Sequence, residues 1–69
     1  VFTTRELEIL RLISEGHSTE VISNRLNRTT ETIKSHRKNI RLKAQECGED
    51  VKSLTVFAIR YVKMLDQTT

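Results

Sequence analysis

Lysines and arginines crowd one stretch of this chain. Seven of its twelve fall between Arg25 and Lys43, where Glu31 is the only acid. That stretch carries +6 and the remaining residues sum to −3, so the net charge of +3 conceals a strong local field. Taking ~100° per helical residue, Lys34, Lys38, Arg41 and Gln45 cluster in one direction, with Ser35 and Glu31 flanking. Cations so arrayed neutralise phosphates and donate to base acceptors, which makes a polyanion, nucleic acid above all, the chemistry to consider. A solvated basic face without a partner is the alternative that charge alone leaves open.

Other chemistries find less support. Two histidines and one cysteine make no recognisable four-ligand zinc set. There is no Gly-rich phosphate loop, and no Ser, His and Asp set has the context of a triad. No catalytic residue, metal site or cofactor is expected. The three aromatics, Phe2, Phe57 and Tyr61, fall on apolar stripes rather than on an exposed stacking platform, which favours duplex DNA over RNA. Cys47 stands alone, so no internal disulfide is possible and a reducing, cytoplasmic compartment is the expectation. No run approaches the ~20 apolar residues of a membrane span, and no contact of this segment with a membrane is expected. The 69 residues read as a single domain with stability on the order of 3–5 kcal/mol. Opening at Val1 and passing directly into ordered pattern, the chain reads as a piece cut from a longer protein, with sensor or partner domains elsewhere.

The elements that must position these cations are helical. Proline is absent and glycine occurs only at positions 16 and 48, so the class is all-α, a four-helix bundle containing a helix-turn-helix. Thr3 to Glu6 forms a capping box, and Ile9, Leu10, Leu12 and Ile13 form an apolar stripe ending at Gly16, giving a first helix over about 4–15. Ser18 caps a short helix over 19–26, whose buried face is Val21, Ile22 and Leu26. Thr29 caps a third over 30–45, with Ile33, His36, Ile40 and Ala44 along one side. The polar run from Gln45 to Lys52 reads as a connector. Leu54, Phe57, Ala58, Tyr61, Val62 and Leu65 then mark a fourth helix over 54–65, with a frayed tail from Asp66 to Thr69.

A short helix, a three-residue connection and a longer second helix follow the plan in which the second helix lies in the major groove and the first braces it. On that plan Lys34, Ser35 and Lys38 face base edges, and Arg25, Arg28, Arg37, Arg41 and Lys43 reach the phosphate backbone. His36 lies on the core side, where it is expected to make a hydrogen bond that seats the recognition helix. His17 follows Gly16 in a loop and is expected to be solvated. Leu42 points away from Ile33 and could touch DNA sugars, another domain or water.

The residues now in view resemble a known family. Thr3-x-Arg5-Glu6-x-Glu8-Ile9-Leu10-x-Leu12-Ile13, Gly16-x-Ser18 and above all Thr32-Ile33-Lys34-x-His36-x-x-Asn39-Ile40-x-x-Lys43 look like the LuxR-type helix-turn-helix, also called the GerE or NarL/FixJ output domain. The resemblance covers residues 2 to about 44 closely. It implies a four-helix DNA-binding domain, the C-terminal output fragment of a bacterial transcription regulator, commonly joined to an N-terminal phosphoacceptor receiver domain, as in two-component response regulators, or to a small-ligand sensor domain. It implies base contacts at Lys34, Ser35 and Lys38. Backbone contacts are implied along the recognition helix and at the helix starts, where Ser18, Thr19, Thr30 and Thr32 stand. The fourth helix of the family pairs two domains on DNA, so that Val56, Ile59 and Lys63, opposite the apolar stripe, would form a homodimer contact; scattered surface apolar residues are the plainer reading.

Several positions depart from the family's pattern. Arg28 stands where an apolar residue usually plugs the turn, so either its stem packs while its head snorkels or the turn is looser. Val21 replaces a frequent Glu, and Ala44 a frequent Leu. The rival reading is a helical protein-interaction module whose basic face docks an acidic protein partner.

Overall fold

Each helix begins where a hydroxyl can satisfy an orphan amide. In the computed structural model, which describes residues 2–48 and 53–67, Thr3 opens α1 (Thr4–Ser14) with a complete capping box. The Thr3 amide donates to Glu6 Oε1 at 2.8 Å, and the Glu6 amide to Thr3 Oγ1 at 3.2 Å. Ser18 caps α2 (Thr19–Leu26) through the Val21 amide, and Thr29 caps α3 (Thr30–Glu46) through that of Thr32. The fourth helix, α4, is Leu54–Gln67.

Left-handed residues close the first two helices. Gly16 has φ 90°, with its amide on the Ile13 carbonyl and the His17 amide on that of Leu12, the paired bonds of a Schellman motif. Asn27, at φ 56°, does the same with no glycine. Its amide donates to the Asn24 carbonyl and the Arg28 amide to that of Ser23. The α2 to α3 turn is thus closed by its backbone, and Arg28, the departure from the family pattern, is exposed.

The core joins all four helices. Ile9, Leu10 and Ile13 of α1 meet Ile22 of α2, Ile33 and Ile40 of α3, and Leu54 and Ala58 of α4. α1 packs most extensively on α4, and also on α3 and α2, while α2 rests on α3. Phe2, Phe57 and Tyr61 form a half-buried cluster at the rim, with ring centroids 5.1 to 6.2 Å apart. Among the described residues there is no strand.

Five expectations need correction. Val21 is 39 % exposed rather than buried; α2 is rolled so that Ser23 goes inward beside Ile22, its hydroxyl satisfied by the Glu20 carbonyl at 2.7 Å. His17 is half-buried, standing at the Schellman position that folds back over the last turn. No side-chain hydrogen bond to His36 occurs among the described residues, and the half-buried imidazole packs without one. The helix ends differ by one or two residues. α1 stops at Ser14 and α3 reaches Glu46, so Glu46 is helix rather than connector, and Cys47 and Gly48 turn after it. Asp66 and Gln67 continue α4 rather than fray, since no glycine or proline interrupts the helix there and Arg11 reaches Asp66 at 3.4 Å. The rest of the connector, residues 49–52, and the tail residues Thr68 and Thr69 lie outside the described residues.

Candidate nucleic-acid interface

Helix α3 has two sides that differ in kind. Ile33, Ile40 and Ala44 are buried, which fixes the rotation of the helix about its axis. Lys34, Ser35, Lys38, Arg41 and Leu42 are then exposed by geometry, and Arg37 is half-exposed at the margin. α3 is capped at its start by Thr29 and packed against α1 and α2. A line of cations is therefore presented on a rigid rod rather than on a loop.

The charges on this line are largely unneutralised. Lys34 stands 3.9 Å from Glu31, with its side chain 65 % exposed, a loose surface pair that solvent screens and that contributes little. Arg37, Lys38 and Arg41 have no carboxylate partner among the described residues. Between this line and the start of α4 lies a shallow cleft whose walls include Lys34, Arg37, Lys38, Arg41 and Leu54.

The remaining sequence candidates lie on α2, on the turn after it, at the helix starts and on α4. Arg25 is exposed on the last turn of α2, and Arg28 on the following turn. At the helix starts Ser18 is exposed and Thr19, Thr30 and Thr32 are half-buried. The hydroxyls of Ser18 and Thr29 already accept from amides, and Thr29 Oγ1 lies 3.0 Å from Thr32 Oγ1. Val56, Ile59 and Lys63 are all exposed on α4. Met64, which sequence reasoning did not single out, is 52 % exposed on the same helix.

Lys43 is different. Its Nζ donates to Glu6 Oε1 at 2.6 Å, tying the last turns of α3 to the first turn of α1. Burial pushes the Glu6 carboxyl up, but the bonds from Lys43 and Thr3 outweigh it and hold it below the ordinary glutamate value. Lys43 is thus engaged by the fold, a partner that its reading as a phosphate contact did not foresee. The only advance signal was its place beside Ala44 at the edge of the apolar stripe, and pairing across 37 positions is not visible from one helix.

The profile of a family described as bacterial regulatory proteins, luxR family (GerE), matches residues 1–49. Those residues contain α1, α2 and α3, the capped turn between the last two, and every cation of the interface. The chain belongs to the luxR family. Among curated proteins and solved structures no match is found. A luxR-family helix-turn-helix is a DNA-binding unit and not a catalyst, and the described residues of this one contain no cluster of three metal-ligating side chains. In this luxR-family domain α4 (Leu54–Gln67) falls beyond the matched span, so its role rests on its own residues.

Proposed function

We propose that this chain is the output domain of a bacterial transcription regulator, binding double-stranded DNA in a sequence-specific way with α3 in the major groove. Lys34, Ser35 and Lys38 read base edges, where lysine donates to guanine acceptors and a small serine permits close approach. Arg25, Arg28, Arg37 and Arg41, with the helix-start residues Ser18, Thr19, Thr30 and Thr32, set the register on phosphates. Lys43 contributes to the phosphate field while bound to Glu6. Two copies meet through Val56, Ile59 and Lys63 of α4, placing two recognition helices on successive half-sites. The domain works in the cytoplasm under a sensor or receiver domain in another part of the regulator.

One observation carries this reading: the family match falls on a helix whose exposed line is cationic and whose opposite side buries Ile33, Ile40 and Ala44. A duplex titration followed by amide chemical shifts tests it. Shifts should concentrate on residues 30–42, and the logarithm of affinity should fall linearly with the logarithm of salt, with a slope near −0.9 per phosphate neutralised. Silence of α3 at low salt, with shifts instead on addition of an acidic protein, would replace DNA binding with the docking reading.

A further inference from the structure

The cleft between α3 and the start of α4 has a volume of about 240 Å³ and is lined, among the described residues, by Lys34, Arg37, Lys38, Arg41 and Leu54. Its four cations stand at i, i+3, i+4 and i+7 of one helix, spacings that bring side chains to the same strip of surface. Like charges held together repel, and a compact polyanion among them removes that repulsion. Three of the four, Arg37, Lys38 and Arg41, have no carboxylate partner among the described residues, so nothing described there already plays that part. Leu54, 4 % exposed, supplies an apolar wall that keeps water off one side and strengthens the attraction of the cations for a bound anion.

Size narrows the ligand. Sites for drug-sized molecules begin at about 300 Å³, and this cleft is smaller and open, walled by Leu54 and by four cationic side chains whose aliphatic stems supply much of its surface. A diphosphate group matches it, since arginine can grip phosphate oxygens in pairs and lysine can add point charge. We propose that the cleft binds a diphosphate group, free or carried by a nucleotide whose base stays in solvent, and that this anion competes with duplex DNA for the same cations. The competition rests on the DNA-binding reading above; the binding itself does not.

Amide shifts of the chain, titrated with sodium pyrophosphate, with ADP and with sodium sulfate at one fixed ionic strength, test both parts. Pyrophosphate should give saturable shifts at Arg37 to Arg41 and Leu54, with a dissociation constant roughly tenfold or more below that of sulfate. ADP equal to pyrophosphate supports the free group as a sufficient ligand, and ADP clearly tighter supports a nucleotide source. Shifts that grow linearly, alike for all three anions, mean ionic screening only and overturn the site. Arg41→Gln and Arg37→Gln should each weaken pyrophosphate about tenfold with α1 resonances unmoved. If the half-buried Arg37 proves necessary for folding, the exposed Arg41 gives the same reading alone, and unchanged affinity there overturns the site. Saturating pyrophosphate should also weaken duplex binding more than sulfate does at equal ionic strength; equal effects overturn the competition. A chain that saturates with pyrophosphate but never binds duplex supports the cleft and removes the DNA reading, whereas duplex binding without anion discrimination removes the cleft alone.

Discussion

The two edges of α3 carry the same kind of residue and put it to different uses. On the edge facing the start of α1, Lys43 is held at 2.6 Å by Glu6, a carboxylate whose side chain is only 5 % exposed. On the edge facing the start of α4, Arg37, Lys38 and Arg41 meet no carboxylate among the described residues and remain open to a partner. One edge is locked by an internal ion pair, and the other meets none among the described residues. The window's +6 is therefore not spread evenly: part of it is compensated inside the fold, and the part on the α4 side is what an anion meets. A charge count along the sequence cannot separate these, because the separation depends on which element packs against which edge.

The sharpest break of this comparison removes the core beneath both edges. Ile40→Ala should cost about 2–5 kcal/mol by lost burial and cavity formation, comparable with the whole stability on the order of 3–5 kcal/mol for a domain this small. Circular dichroism should show a largely unfolded chain at room temperature, and a cooperative melt near that of the parent would mean that Ile40 does not anchor the helix.

The locked edge responds next. Glu6→Gln keeps an acceptor for the capping box but loses the charge opposite Lys43, and should destabilise by about 1.5–3 kcal/mol, the range for a charge-assisted hydrogen bond. The linkage has a definite sign. The native carboxyl lies below its ordinary value, so its contribution is full above the unfolded value of about 4.3 and is lost as pH falls through the lower native value. Urea melts of the parent should lose midpoint across that acidic window more steeply than those of Glu6→Gln. Parallel pH profiles would show that the pair carries no such coupling.

The open edge should leave stability nearly alone and change binding. Lys38→Ala should cost about 1–3 kcal/mol on a true operator and relax base preference at one position. Arg41→Gln should weaken all sequences alike and reduce the salt slope by about one phosphate. If both variants gave the same uniform loss across a library of duplexes, Lys38 would be a phosphate contact and the division between reading and positioning residues would fail. The smallest effect belongs to the exposed bridge from Arg11 to Asp66. Arg11→Ala should shift stability by about 0–1 kcal/mol, as surface pairs do, and a larger loss in a urea melt would mean that this pair holds α4 on α1.

Local chemistry was readable where a residue acts within one turn of its own backbone. Thr3, Ser18 and Thr29 cap the helices assigned to them, because a hydroxyl needs only an amide two or three residues on. Ile33, Ile40 and Ala44 were legible as a buried side because the helical period fixes which residues share a face. Val21 was misread for the complementary reason. In an eight-residue helix the apolar sector is broad, and its rotation is set by the neighbours, which drew Ser23 inward instead. His36 lies on the inner side as expected, but a hydrogen bond needs a partner from another element and the periodicity supplies none. The cleft beside Leu54 was equally invisible, since its walls come from helices whose relative placement no local pattern records.

By itself the sequence determined four helices, the caps of the first three, the outward rotation of the cations on the third and membership of a DNA-binding family. These follow from interactions spanning a turn or two and from a motif read at fixed spacing. Only the tertiary structure decided that Lys43 belongs to Glu6, that Val21 faces solvent, and that Arg37, Lys38 and Arg41 border a cleft with Leu54. Each of those outcomes depends on distances between groups far apart in the chain, and such distances are set by how the apolar faces pack together.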